Sequence, residues 1–121
     1  MLLRDGPECM EGHARSLERL IGEVFGGHHS LLTPSQRRLR LDLWKLINLM
    51  RQMGTLDDVE VFQLGFRCPE QLKRYDHCVK TLIDMSERKG IDRKTQESAL
   101  LMHAGLWQIC LVVTQFYEGL S

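Results

Sequence analysis

Between Glu97 and Glu118 the chain reads SALLMHAGLWQICLVVTQFY, with no acidic or basic side chain of the Asp, Glu, Lys or Arg type. A helix of this length reaches about 30 Å and would cross the hydrocarbon of a bilayer. The same composition suits a helix at the centre of a small soluble domain, or one that meets another protein. Its polar residues argue against a span. His103, Gly105, Gln108, Thr114 and Gln115 lie within it, both flanks are acidic, and no Lys or Arg anchors the C-terminal end. The expectation is a helix covered by protein, with no membrane partner.

Projected at about 100° per residue from Leu100, His103 and Thr114 fall near 300–320° and Gln108 and Gln115 near 60–80°. These polar seams separate two apolar arcs. The narrow one holds Leu100, Ala104, Trp107 and Leu111, the spacing with which one helix meets one other. The broad one holds Leu101, Met102, Leu106, Ile109, Val112, Val113 and Phe116. A helix apolar on two sides must be covered on two sides. Residues 34–53 show a similar excess, with Leu39, Leu43, Leu46, Ile47, Leu49, Met50 and Met53 on a wide arc and Leu41 opposite. Two such helices are hard to cover within 121 residues. A homodimer follows as the expectation, and a last helix wrapped by the others is the alternative.

Elsewhere the hydrophobic spacing is also helical, punctuated by Gly and Pro. From about Pro7 to Phe25, Met10, Ala14, Leu17, Ile21 and Val24 recur every three or four residues, opposite Glu11, Arg15, Glu18 and Arg19. Gly26 and Gly27 end that helix. Thr33-Pro34-Ser35-Gln36 is a capping box with Pro at the first helical position, starting a helix that runs to Met53 and stops at Gly54. Thr55 to Asp58 caps a short helix over Leu56 to Leu64, for which a strand is the alternative. Cys68-Pro69 opens a helix with Leu72, Tyr75, Val79, Leu82 and Ser86 on one stripe and Gly90 as its end. Asp92 caps the last helix, about Arg93 to Glu118. The predicted architecture is all-α: a single domain over 1–121, with four long helices, one short one and a flexible lead at 1–6.

Sixteen basic and sixteen acidic residues cancel, so no global field draws the chain to nucleic acid or an anionic surface. Cys9, Cys68, Cys78 and Cys110 are widely spaced and read as free, buried thiols. The N-terminal residues carry no signal-peptide pattern, which makes the cytoplasm the expected compartment. His28-His29 and His77-Cys78 offer metal-ligand types without CxxC or HxxxH spacing, and no nucleophile elbow, phosphate loop or carboxylate pair occurs. No metal, no cofactor and no catalysis are expected.

The best local candidate for binding is residues 34–53, where Arg37, Arg38, Arg40, Lys45 and Arg51 accompany one acid, Asp42. Arg37, Arg40, Trp44 and Arg51 share a side of that helix. Trp framed by Arg is the composition of a protein-interface hot spot. It would also grip phosphates and stack a base, so a small nucleic-acid-binding regulator is the alternative. Neutral net charge and the acids Asp57, Asp58 and Glu60 just downstream favour a protein partner.

A small, neutral, all-helical chain with Arg/Trp decoration on Pro34 to Met53 and surplus apolar surface on Asp92 to Tyr117 resembles the QslA-like antiactivators of bacterial quorum sensing. The resemblance lies in size and organisation and carries no functional residue across. It implies a cofactor-free dimer that captures a LuxR-type transcription regulator and blocks that regulator's own dimerisation and DNA binding.

Overall fold

A computed structural model describes residues 7–26, 31–53 and 67–119. Among them the chain forms four helices and no strand: α1 (Pro7–Phe25), α2 (Pro34–Met53), α3 (Pro69–Arg88) and α4 (Arg93–Gly119). The all-α class and the four long helices agree with the hydrophobic spacing. The short element expected over Leu56 to Leu64 and the lead at 1–6 lie outside the described residues.

The helix boundaries follow from local chemistry. At the start of α2 the Gln36 amide donates to Thr33 Oγ1 at 3.2 Å, and the Thr33 amide donates back to Gln36 Oε1 at 3.0 Å. That reciprocal pair satisfies two donors the helix leaves orphaned. Asp92 caps α4 by accepting from the Thr95 hydroxyl and the Thr95 amide, which together hold its carboxyl below the usual range. At the end of α3, Gly90 sits at φ 73°, its amide donates to Glu87 O, and the Ile91 amide donates to Ser86 O. This is a Schellman motif, and Ile91 packs back on the core as such motifs favour. Gly26, at φ 63°, ends α1 in the same left-handed region. Lys89 Nζ reaches across to Val24 O, placing a cation on the negative end of α1.

Contacts between the helices fix an up-down-up-down bundle. Ser86 meets Gln96, Asp76 meets His103, and Glu70 and Lys73 lie beside Thr114 and Tyr117, so α3 and α4 run antiparallel. Glu11 and Glu18 meet Arg51 across α1 and α2, and Asp42 meets Arg74 across α2 and α3. His13 meets Ser98 across α1 and α4. α1 and α3 also touch, whereas α2 and α4 occupy the two outer corners.

The core takes Ala14, Leu17, Leu20, Ile21, Val24 and Phe25 from α1, and Leu72, Tyr75, Cys78, Val79, Leu82 and Ile83 from α3. α2 adds Leu43, Leu46, Ile47 and Met50. α4, although the longest of the described helices and the most apolar, adds Ala99, Met102, Leu106 and Val113 among its described side chains. Burial of these side chains, at about 25 cal/mol for each Å² removed from water, drives the bundle together. Two buried polar side chains join α3 to α4: Gln96 Nε2 donates to Ser86 Oγ, and Ser86 Oγ donates to Ile83 O at 2.7 Å. The Ser86 hydroxyl thus both donates and accepts, as a polar group in a dry interior must to avoid a desolvation cost.

Candidate functional site

The narrow arc of α4 faces outward. Ala104, Trp107 and Leu111 are exposed, Trp107 by 54 % of its surface, while Leu100 is half-buried against the core. The broad arc divides differently from the expectation that it forms one buried side. Met102, Leu106 and Val113 are buried, whereas Leu101, Val112 and Phe116 remain exposed. The physical reason is geometric. Among the described residues α4 stands at a corner of the bundle with α1 and α3 as its main neighbours, and two neighbours cannot enclose a helix. The alternative of a central last helix wrapped by the others does not fit the described side chains of α4, since Leu101, Trp107, Leu111, Val112 and Phe116 are exposed.

The polar seams are put to use at the contacts. On one seam His103 Nδ1 lies 2.8 Å from Asp76 Oδ1, tying α4 to α3, and Thr114 is half-buried beside α3. On the other, Gln115 is exposed. By length and composition α4 is the one described helix able to cross a membrane. Its inner side is taken up by protein: Ala99, Met102, Leu106 and the His103–Asp76 pair all face the bundle.

On α2 the four residues expected to act together separate into two groups. Arg37, Arg40 and Trp44 line one side of a groove of about 340 Å³ between α1 and α2, joined by Leu41. Its floor is Ile21 and Phe25, and the glycines Gly22 and Gly26 leave it open. Trp44 is 38 % exposed and Leu41 50 %. Arg51, two helical turns from Trp44, is engaged elsewhere: its guanidinium donates to Glu11 at 3.1 and 3.2 Å and to Glu18. These bonds hold the Glu11 carboxyl below the usual range and raise the guanidinium's own affinity for its proton. Arg51 is thus a clasp between α1 and α2. Arg38 lies along buried Asp42, which also accepts from Arg74 at 3.2 Å. The count of one acid facing five bases holds along α2 alone; the fold brings Glu11 and Glu18 to the same side. A continuous phosphate-binding track over Arg37, Arg38, Arg40 and Arg51 is correspondingly broken.

The thiols also divide. Cys78 is buried and Cys110 half-buried, and burial pushes both thiols up, with Asp42 adding to the effect at Cys78 and Asp76 at Cys110. A thiol so placed resists becoming the thiolate that nucleophilic chemistry needs. Cys68 is exposed, against the expectation of burial, because it precedes Pro69 at the open end of α3. The side chain of Cys9 and the residues His28 and His29 lie outside the described residues, among which no cluster of His, Cys, Asp or Glu suits a metal ion.

Sequence reasoning did not single out Gly22, Leu101 or Val112 as surface-forming, whereas Leu41 already stood opposite the wide apolar arc of α2. Gly22 carried a signal: a lone glycine within a helical pattern, four residues before Gly26 and so on the same face. Compared with protein-family models, curated proteins and solved structures, the chain matches none.

Proposed function

We propose that the protein is a non-enzymatic interaction module, a homodimer joined across the outer face of α4, that captures and inhibits a protein partner. The observation that carries this reading is the exposed set Trp107 and Leu111 on the narrow arc with Leu101 and Val112 across the uncharged seam at Gln115, in a stretch with no Asp, Glu, Lys or Arg between Ser98 and Tyr117. Isolated apolar residues on a surface are ordinary, but an adjoining set that includes a half-open Trp marks a contact surface. A second copy of α4 offers the same uncharged face, and a two-fold pairing of two identical apolar helices leaves no charge unpaired at the contact.

Inhibition of a LuxR-type transcription regulator is the partner reading that the resemblance to QslA-like antiactivators implies, and a surface made for protein rather than for a small molecule supports it. The dimer is tested by light scattering over a range of concentrations. A mass of twice the chain, reduced to one chain by Trp107→Glu with the helical circular dichroism intact, is the expected result. A wild-type chain that stays monomeric refutes the dimer. Capture is tested by titrating the protein into a purified LuxR-type regulator bound to its operator: release of the DNA is expected, and unaltered DNA binding refutes that partner. Retention of the chain by vesicles would instead turn the face of α4 toward lipid.

A further inference from the structure

The groove between α1 and α2 faces a different side of the bundle from the outer face of α4, because α2 and α4 stand at opposite corners. A dimer through α4 leaves it open. Its walls combine two chemistries. Inside are Ile21, Phe25, Leu41 and the ring of Trp44, and among the described residues no atom lies within 4 Å of where a Cβ added at Gly22 would stand. The empty space, about 340 Å³, accommodates one bulky apolar side chain and part of a second.

The rim is basic. Arg37 is exposed and makes no ion pair among the described residues. The first turn of α2 contains no acid, so its positive helix end adds to this charge. Glu18, the acid beside the groove, is already neutralised by Arg51.

Resting on the reading of the chain as an interaction module, we infer that this groove is the partner-binding site, and that it takes an acidic amphipathic helix whose apolar anchor inserts between Trp44 and Gly22. The anchor lies on Phe25 and Ile21, and a carboxylate on a flanking turn meets Arg37. Charge complementarity selects the acidic partner, and the apolar floor of Ile21 and Phe25 selects an apolar side chain as the anchor.

The probe is a labelled helical peptide of Glu, Ala and Leu with leucines at i, i+4 spacing. Comparisons are the same peptide with Leu replaced by Ser, the same with Glu replaced by Lys, and a single-stranded oligonucleotide, all followed by fluorescence anisotropy at low and moderate salt. Wild-type protein is expected to bind the acidic Leu peptide at least about tenfold tighter than either altered peptide. Gly22→Leu, which fills the groove from an open position, and Arg37→Glu, which reverses the rim, are each expected to weaken it by about tenfold or more. Failure of the wild-type chain to bind the acidic peptide, equal binding by Gly22→Leu, or preference for the oligonucleotide each overturns the assignment. Light scattering on the same samples reports the α4 dimer separately. A dimer without peptide binding refutes the groove alone, and peptide binding by a monomer refutes the dimer alone.

Discussion

On the side turned from the core, α3 carries Lys73, His77, Lys80, Asp84 and Glu87, whereas α4 in the equivalent place carries Leu101, Ala104, Trp107, Leu111 and Val112. The two helices are antiparallel neighbours, joined by one short turn and packed on the same core. Their inward stripes obey one rule, that apolar residues three and four apart meet the neighbouring helix. Their outward faces obey different ones. A face of mixed charge is solvated at little cost, while an apolar face keeps surface in water whose covering would be favourable. The contrast separates what the bundle needs in order to fold from what it carries in addition.

The inward half of the comparison predicts the largest effects. Leu82→Ala on α3 and Met102→Ala on α4 each remove a buried side chain from the shared core. Each should cost about 2–5 kcal/mol of folding stability, read from urea or thermal unfolding. A Met102→Ala loss far smaller than that of Leu82→Ala would show that α4 is only loosely attached and that the two inner faces are not equivalent.

The outward half predicts the sharpest asymmetry. Trp107→Glu should weaken self-association by about a hundredfold or more, close to 2.7 kcal/mol, while shifting the unfolding midpoint of the monomer little. Lys80→Glu, exposed on α3, should leave the mass unaltered in light scattering. Equal behaviour of the two variants would remove the distinction between the faces.

The inward rule was legible in the residues themselves, and the outward one only in part. The stripe Leu72, Tyr75, Val79, Leu82 and Ser86 on α3 is buried throughout, as its spacing requires. The capping box at Thr33 and the cap at Asp92 form as written, because they depend on residues three apart in the chain. What spacing does not contain is which helices stand beside which. The broad arc of α4 looked like a single buried side because a helical projection has no neighbours in it. Among the described residues, the corner position of α4 beside α1 and α3 decides that Met102 is covered and Leu101 is not. For the same reason Arg51 read as part of a basic face, although Glu11 and Glu18, some 30 to 40 positions earlier, claim it.

The polar link between the two helices gives a smaller effect. Gln96→Ala leaves the buried Ser86 hydroxyl without the amide that donates to it, and should cost about 1–2 kcal/mol in unfolding measurements. Ser86→Ala combined with Gln96→Leu, which removes both partners and restores apolar contact, should recover part of that loss. A single Gln96→Ala variant as stable as the wild type would show that the link adds nothing to simple packing of α3 on α4.

The smallest effect lies at the turn that joins them. Asp92 has its carboxyl lowered first by the Thr95 hydroxyl and then by backbone amides, which favour the charged form at the positive end of α4. A carboxyl lowered in the folded state adds stability that is fully present above its unfolded value of about 4. That stability is lost as the pH falls through the folded value. Glu11, lowered by Arg51, contributes with the same sign at the α1–α2 clasp. The midpoint of urea unfolding should therefore decline between about pH 5 and pH 3. Asp92→Asn keeps the shape of the cap without the titration and should flatten part of that decline, and Arg51→Met should flatten another part by releasing Glu11. If Asp92→Asn leaves the pH profile superimposable on that of the wild type, the start of α4 is held by packing against α1 and α3 alone. The apolar helix would then need no electrostatic guide to take its corner of the bundle.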